Sequence, residues 1–89
     1  MVLIVKRKGH KEEFDERKAY ASCYHAALNC HLSKEEAEKI ASKAITDLKK
    51  WVNEYDEVNS TEIFNYLSSQ LRKINKDVGF MYRTHRDLS

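Results

Sequence analysis

Two rhythms run along the chain, a short one of strands at its start and a longer one of helices after it. Val2, Leu3, Ile4 and Val5 are apolar or β-branched, which suits a strand and asks for no helix. Gly9 follows, one of only two glycines in the chain. A turn there can take positive φ without steric cost, so the pattern predicts a hairpin back through Lys11 to Phe14. Asp15 is then a good N-cap for a helix starting at Glu16. That helix is expected to reach Asn29, with Ala19, Cys23, Ala26 and Cys30 at i, i+4, i+7 and i+11 as a narrow stripe of small residues. Small side chains let a second helix approach closely. Ser33 and Glu36 form a capping box. Beyond it, Ala37, Ile40, Ala41, Ala44, Ile45, Leu48, Trp51, Val52 and Tyr55 give the clearest periodicity in the sequence. At about five turns, this is expected to be the core helix. The pattern breaks over residues 56–59. Ser60 is expected to cap a third helix, with Glu62 favoured in its first turn by the dipole and Ile63, Leu67, Leu71 and Ile74 facing inward. A break at Asn75 and Lys76 precedes a last helix from about Asp77, with Val78, Met81, Tyr82 and His85 turned to the core.

Length and composition narrow this picture without changing it. Eighty-nine residues make one domain, residues 1–89, with one modest core and no room for two. With 16 Lys and Arg against 14 Asp and Glu, the net charge is +2. Near-balance argues against nonspecific nucleic-acid binding, which needs a clearly basic face. No apolar run approaches the roughly 20 residues of a membrane span. The apolar start is too short for a signal peptide and lacks its cleavage pattern. A cytoplasmic protein with no membrane association is expected. No repeat, linker or low-complexity segment interrupts the chain, and there is no proline.

Cys23 with His25, and Cys30 with His31, invite a metal cluster. On one straight helix His25 and His31 point roughly 200° and 80° away from Cys23, so the four cannot converge. The paired Cys-x-x-Cys knuckles of a zinc site are absent. Two buried small residues are the better reading, too far apart along a helix for a disulfide. No metal site is expected. Catalysis has no better support, because phosphoryl transfer needs a metal held by placed carboxylates and a positioned nucleophile. Ser22 with His25 lacks a third group to orient the histidine.

The chemistry gathers where the hairpin meets the first helix. Lys6, Arg7 and Lys18 place three cations near the free N–H groups of a helix N-terminus, which suits an anion. Glu12, Glu13 and Glu16 nearly cancel them, so a solvated surface accounts for the charges as well. Neither GxxxxGK nor GxGxxG occurs. A triphosphate would meet Lys6, Arg7 and Lys18 from two directions, at roughly 1.5–3 kcal/mol per charge-assisted bond. Val5 and Phe14 offer apolar surface to a purine, and Glu12 or Asp15 can accept from its exocyclic amine or from the ribose. Phe14 is equally suited to the core, and Asp15 to capping alone.

The order of Val5-Lys6-Arg7-Lys8-Gly9, Phe14-Asp15 and Lys18 resembles the opening of the ATP-cone domain. That module stands at the N-terminus of many ribonucleotide reductases and in the transcriptional repressor of their genes. Lys6, Arg7, Gly9, Phe14, Asp15 and Lys18 keep the family's register, while Lys8 departs from it where an acidic residue or Asn is usual. The resemblance implies an α+β fold, a small β-hairpin or three-stranded cap on a four-helix bundle, with Val58 supplying the third strand. It implies ATP or dATP as ligand, with or without Mg2+, in a pocket lined by the equivalents of Lys6, Arg7, Glu12, Asp15 and Lys18. Ser60 falls where a further polar contact is expected. Ser60-Thr61-Glu62-Ile63 and Tyr82-Arg83 match more loosely. With no zinc ribbon before it and no reductase barrel after it, a cone standing alone is expected.

Three functions are compatible with these residues. The leading one is a nucleotide-sensing regulatory module that binds ATP or dATP and alters a contact with a partner protein or with another copy in a homo-oligomer. Its warrant is that Lys6, Arg7 and Lys18 are all present. The second is a helical protein-interaction domain that keeps the fold with a dead pocket. The charge balance least favours the third, a small nucleic-acid binder using Lys6, Arg7, Lys8, His10 and Lys11 with Tyr20 or Tyr82 stacking. Phe80 and Leu88 are expected to stay exposed for contacts.

Overall fold

A computed structural model of the chain describes residues 2–6 and 9–88, with side chains described as far as Thr84. The hairpin is β1 (Leu3–Val5) and β2 (Lys11–Glu13), followed by α1 (Glu16–Asn29) and α2 (Lys34–Val52). Then come β3 (Glu57–Asn59), α3 (Ser60–Ile74) and α4 (Lys76–Leu88). The result is the expected α+β arrangement, a small three-stranded sheet on four helices.

The sheet runs in the order β2-β1-β3, with β1 antiparallel to β2 and parallel to β3. Gly9 makes the hairpin possible. Its φ is +80°, and a Cβ there would meet nothing within 4 Å, so the backbone angle and not space requires glycine. The Gly9 N–H donates to the Lys6 carbonyl at 2.9 Å, and the Lys6 N–H to the His10 carbonyl at 2.7 Å. Ile4 stands opposite Glu12 on one side and Val58 on the other. Ile4 and Val58 are buried beneath the sheet. Alternation turns Val5 to the other face, where it is half-buried. Lys11 and Glu57, from the two strands flanking β1, form an ion pair at 2.7 Å.

Caps set the helix starts. The Asp15 carboxylate accepts from the Arg17 N–H at 3.0 Å, and the Ser33 hydroxyl from the Glu36 N–H at 3.2 Å. The core lies around α2, whose Ala37, Ala41, Ala44 and Leu48 are fully buried. Small residues of α1 (Cys23, Ala26 and Ala27) belong to the same cluster, and α1 packs against both α2 and α4. Each large apolar side chain buried this way contributes roughly 1.5–3 kcal/mol.

Four expectations need correcting. Ser60 does not cap α3. Asn59 does, its side chain accepting from the Thr61 N–H at 2.8 Å, and Ser60 becomes the first helical residue with its side chain buried. Tyr55 is not a core residue: α2 ends at Val52, a turn follows with the Tyr55 N–H on the Val52 carbonyl, and the ring is exposed. Ile74, in the last turn of α3, is exposed too, while Phe64 is buried and stacks on Tyr82 of α4 at 5.5 Å. The stripe of α3 is rotated because the helix packs against α4 as well as α2. Finally, α4 starts at Lys76, with the Asn75 side chain accepting from the N–H groups of Asp77 and Val78. His85 and Leu88 have side chains outside the described residues.

Candidate functional site

An open cleft of about 730 Å³ lies where the hairpin, the start of α1 and the start of α3 meet. Pockets for small molecules span roughly 300–1,000 Å³, so its size suits a nucleotide. Six of the expected residues border it: Lys6, Glu12, Phe14, Asp15, Lys18 and Ser60. Val5 does not, because strand alternation gives its place to Ile4. Arg7 lies outside the described residues, as does Lys8. Ile4, Glu13, Glu16, Arg17, Ala19 and Ile63 border the cleft without having been foreseen. Ile4 was findable, since Lys6 and Glu12 share its face of the hairpin. Ile63 follows Ser60 by three residues, nearly one helical turn.

The backbone contributes as much as the side chains. β2 runs into α1 through Phe14 and Asp15, and β3 runs into α3 with no intervening loop. Two helix N-termini therefore open on one cleft, each with unsatisfied N–H groups and the positive end of a dipole. The Ser60 hydroxyl is the most sheltered polar group there. Its residue is only 7% exposed, and among the described residues it makes no hydrogen bond. The one fully buried side-chain oxygen described without a partner is Ser68 Oγ, so the Ser60 hydroxyl keeps some access to the cleft, where a phosphate or ribose oxygen can accept from it.

Charge is mixed and mostly spoken for. Glu12 sits 3.9 Å from the Lys6 ammonium and 3.3 Å from the His10 imidazole. Glu16 pairs with Lys49 at 3.1 Å, and Asp15 is held as the α1 cap. Lys18 and Arg17 have no ion-pair partner among the described residues. All these side chains are exposed, so their pairs are screened and exchange readily with a ligand's charges. Phe14 packs against the core while bordering the cleft, which joins its two possible roles. Among the described residues no group of three or more His, Cys, Asp or Glu could hold a metal ion. Cys23 is buried and Cys30 half-buried, both as free thiols. No described helix is long and apolar enough to cross a membrane.

No curated protein matches the chain. A family model described as the ATP cone domain matches residues 2–87, which is nearly all of it. ATP cones are regulatory, nucleotide-binding modules rather than catalytic ones. On that match, and with the sheet, helices and cleft just described, the protein belongs to the ATP-cone family.

Proposed function

We propose that the cleft binds ATP or dATP and that the protein is a sensor, passing the bound state on by changing a contact with another copy or a partner protein. The observation that carries this is the convergence of two helix N-termini, Lys6, Lys18 and the unanswered Ser60 hydroxyl on one cleft. In this reading the phosphates lie between Lys6 and Lys18, with Arg7 beside Lys6 in sequence. Lys6 exchanges Glu12 for phosphate, and Glu12 is released to accept from the ribose or the base. Phe14, Ile4 and Ile63 offer the base an apolar floor. Any Mg2+ would arrive on the triphosphate. We propose no catalysis, because Glu12, Asp15 and Glu16 are occupied with ion pairs and capping, which leaves Glu13 as a lone carboxylate at the cleft. Two free cysteines support a reducing compartment such as the cytoplasm.

Thermal unfolding tests this. A ligand that binds only the folded state stabilises it by about 2.7 kcal/mol at a hundredfold excess over Kd. For a domain of this size that is a rise in Tm of roughly ten degrees or more. ATP or dATP should produce it, and GTP should produce less, since its base edge presents different donors and acceptors. No shift with any nucleotide would leave a fold without its ligand, and the interaction-domain reading would stand instead.

A further inference from the structure

Two surfaces away from the cleft differ from the rest of the molecule. On the α2–α3 side, Trp51 stacks on Tyr66 with ring centroids 4.6 Å apart and planes 11° apart. Tyr55 stands edge-on to Trp51 at 5.5 Å and 61°. Tyr55 is 47% exposed, and Trp51 and Tyr66 are half-buried, so the three rings form an open ledge. The Tyr66 hydroxyl is fixed by donating to the Asp47 carbonyl at 3.1 Å. Two acidic groups, Asp47 and Glu54, lie beside the ledge. Burial first, and then the carboxylates of Asp47 and Glu54, hold the Tyr66 hydroxyl above its usual range. Residues 47–62 carry five carboxylates against two lysines, although the whole chain is net positive.

The second surface is on α4. Phe80 is 69% exposed, more than any other large apolar side chain described. Lys76 and Arg83 lie one turn to either side of it on the same helix face, with one carboxylate, Asp77, also a turn before it. Arg72 of α3 lies against the Gly79 backbone beside it. Lys76, Arg72 and Arg83 are all exposed. One surface is thus aromatic and acidic, the other aromatic and basic.

We propose that these surfaces are the two halves of one interface, so that the Phe80 face of one copy of this chain docks on the Trp51–Tyr55 ledge of a second copy. Phe80 supplies a ring for offset or edge-to-face contact with Tyr55 and Trp51. The cations around it meet Glu54 and Asp47, and an arginine can also lie over an aromatic face. Asp47 is already paired with Lys43 at 3.5 Å, but an exposed pair of that kind is worth little and yields easily. The charges steer and orient the encounter more than they strengthen it. Because the two halves differ, the contact is head to tail. Each copy in a pair keeps one free ledge and one free Phe80 face, and assembly continues to a ring or an open string. The inference goes beyond the nucleotide reading and stands without it.

Sedimentation of the full chain at low salt, over rising concentration and without nucleotide, tests this. The average mass should climb above the 10.5 kDa of one chain. Phe80→Glu and Tyr55→Lys should each leave only monomers. Mixed together, the two variants should associate again and stop at two chains, since one keeps its ledge and the other its Phe80 face. Should Tyr55→Lys lower the melting temperature, Glu54→Arg on the same ledge takes its place. A parent that stays monomeric at every concentration overturns the proposal. So does a mixture that fails to pair. Association lost in Phe80→Glu yet intact in Tyr55→Lys overturns it too, by pointing to Phe80 meeting Phe80 across a twofold.

Discussion

His31 holds φ at +65°, the one non-glycine residue described with a positive value. It follows Cys30, the C-cap of α1, where a left-handed residue ends many helices and glycine is the usual choice. An L side chain there costs about 1–2 kcal/mol, which glycine avoids while adding some entropy to the unfolded chain. His31→Gly is therefore expected to stabilise the fold by roughly 0.5–1 kcal/mol, read as a higher midpoint in urea. Cys23 gives a prediction in pH. Burial pushes its thiol from 9.0 up to about 12. Between those values the unfolded chain has lost the proton and the folded chain keeps it, so stability falls as pH rises through this window. The slope approaches about 1.4 kcal/mol per pH unit. In Cys23→Ala the decline above pH 9.0 should be shallower than in the parent when unfolding is followed at each pH.

The α3–α4 pair shows how an element can reverse an ordinary rule. Replacing a glycine inside a helix by alanine normally stabilises by about 1 kcal/mol. At Gly79 a Cβ would stand 2.7 Å from the Arg72 nitrogen and 2.8 Å from its Cα. That is backbone, which cannot swing aside, so the two helices would have to part. Gly79→Ala should therefore destabilise by roughly 1–3 kcal/mol, measured by thermal unfolding. Nothing in the sequence marks this glycine as a helix contact, because its neighbour across the gap lies on another element. Local features were far more legible. Asp15 and Ser33 each stand alone as a possible cap, and α1 and α2 start where they predict. At the third helix Asn59 and Ser60 both qualify, and the choice falls to strand pairing: Asn59 is held extended opposite Val5. The cleft divides in the same way. Lys6, Glu12, Phe14, Asp15 and Lys18 lie within thirteen residues of one another, and a hairpin leading into a helix gathers them unaided. Ile4 rather than Val5 was legible too, because strand alternation puts it on the face of Lys6. The wall from the start of α3 was not, since only the β1–β3 pairing brings that distant segment to the cleft.

At the scale of the molecule, a net charge of +2 hides a strongly uneven distribution. Lys18 and Arg17 stand at the cleft mouth with no ion-pair partner described, and Glu12, Asp15 and Glu16 near them are engaged elsewhere. Such cations do little for the fold, as exposed charges contribute within about half a kcal/mol either way. Their value lies in what they meet. Lys18→Ala and Lys6→Ala are thus expected to leave the unliganded Tm nearly unchanged while removing most of the rise caused by ATP. Phe14→Ala should lower both, since the ring serves core and cleft together. If Lys6→Ala kept the full ATP-induced rise, the phosphates would lie elsewhere.

The parallel pairing of β1 with β3 sets Leu3 against Glu57, and this bears on the order in which the chain becomes competent. As the protein is synthesised, the hairpin and α1 emerge well before β3 and α3. At that stage the sheet lacks a strand, and the cleft lacks the wall made by Ser60 and Ile63. Joining segments so distant along the chain requires closing a long loop, and contacts of that kind slow folding. The α1–α2 hairpin needs no such closure and can form early. Lys6 and Lys18 are therefore present in the nascent chain long before the cleft is complete, and under the proposed function a nucleotide is captured only once the start of α3 has been made.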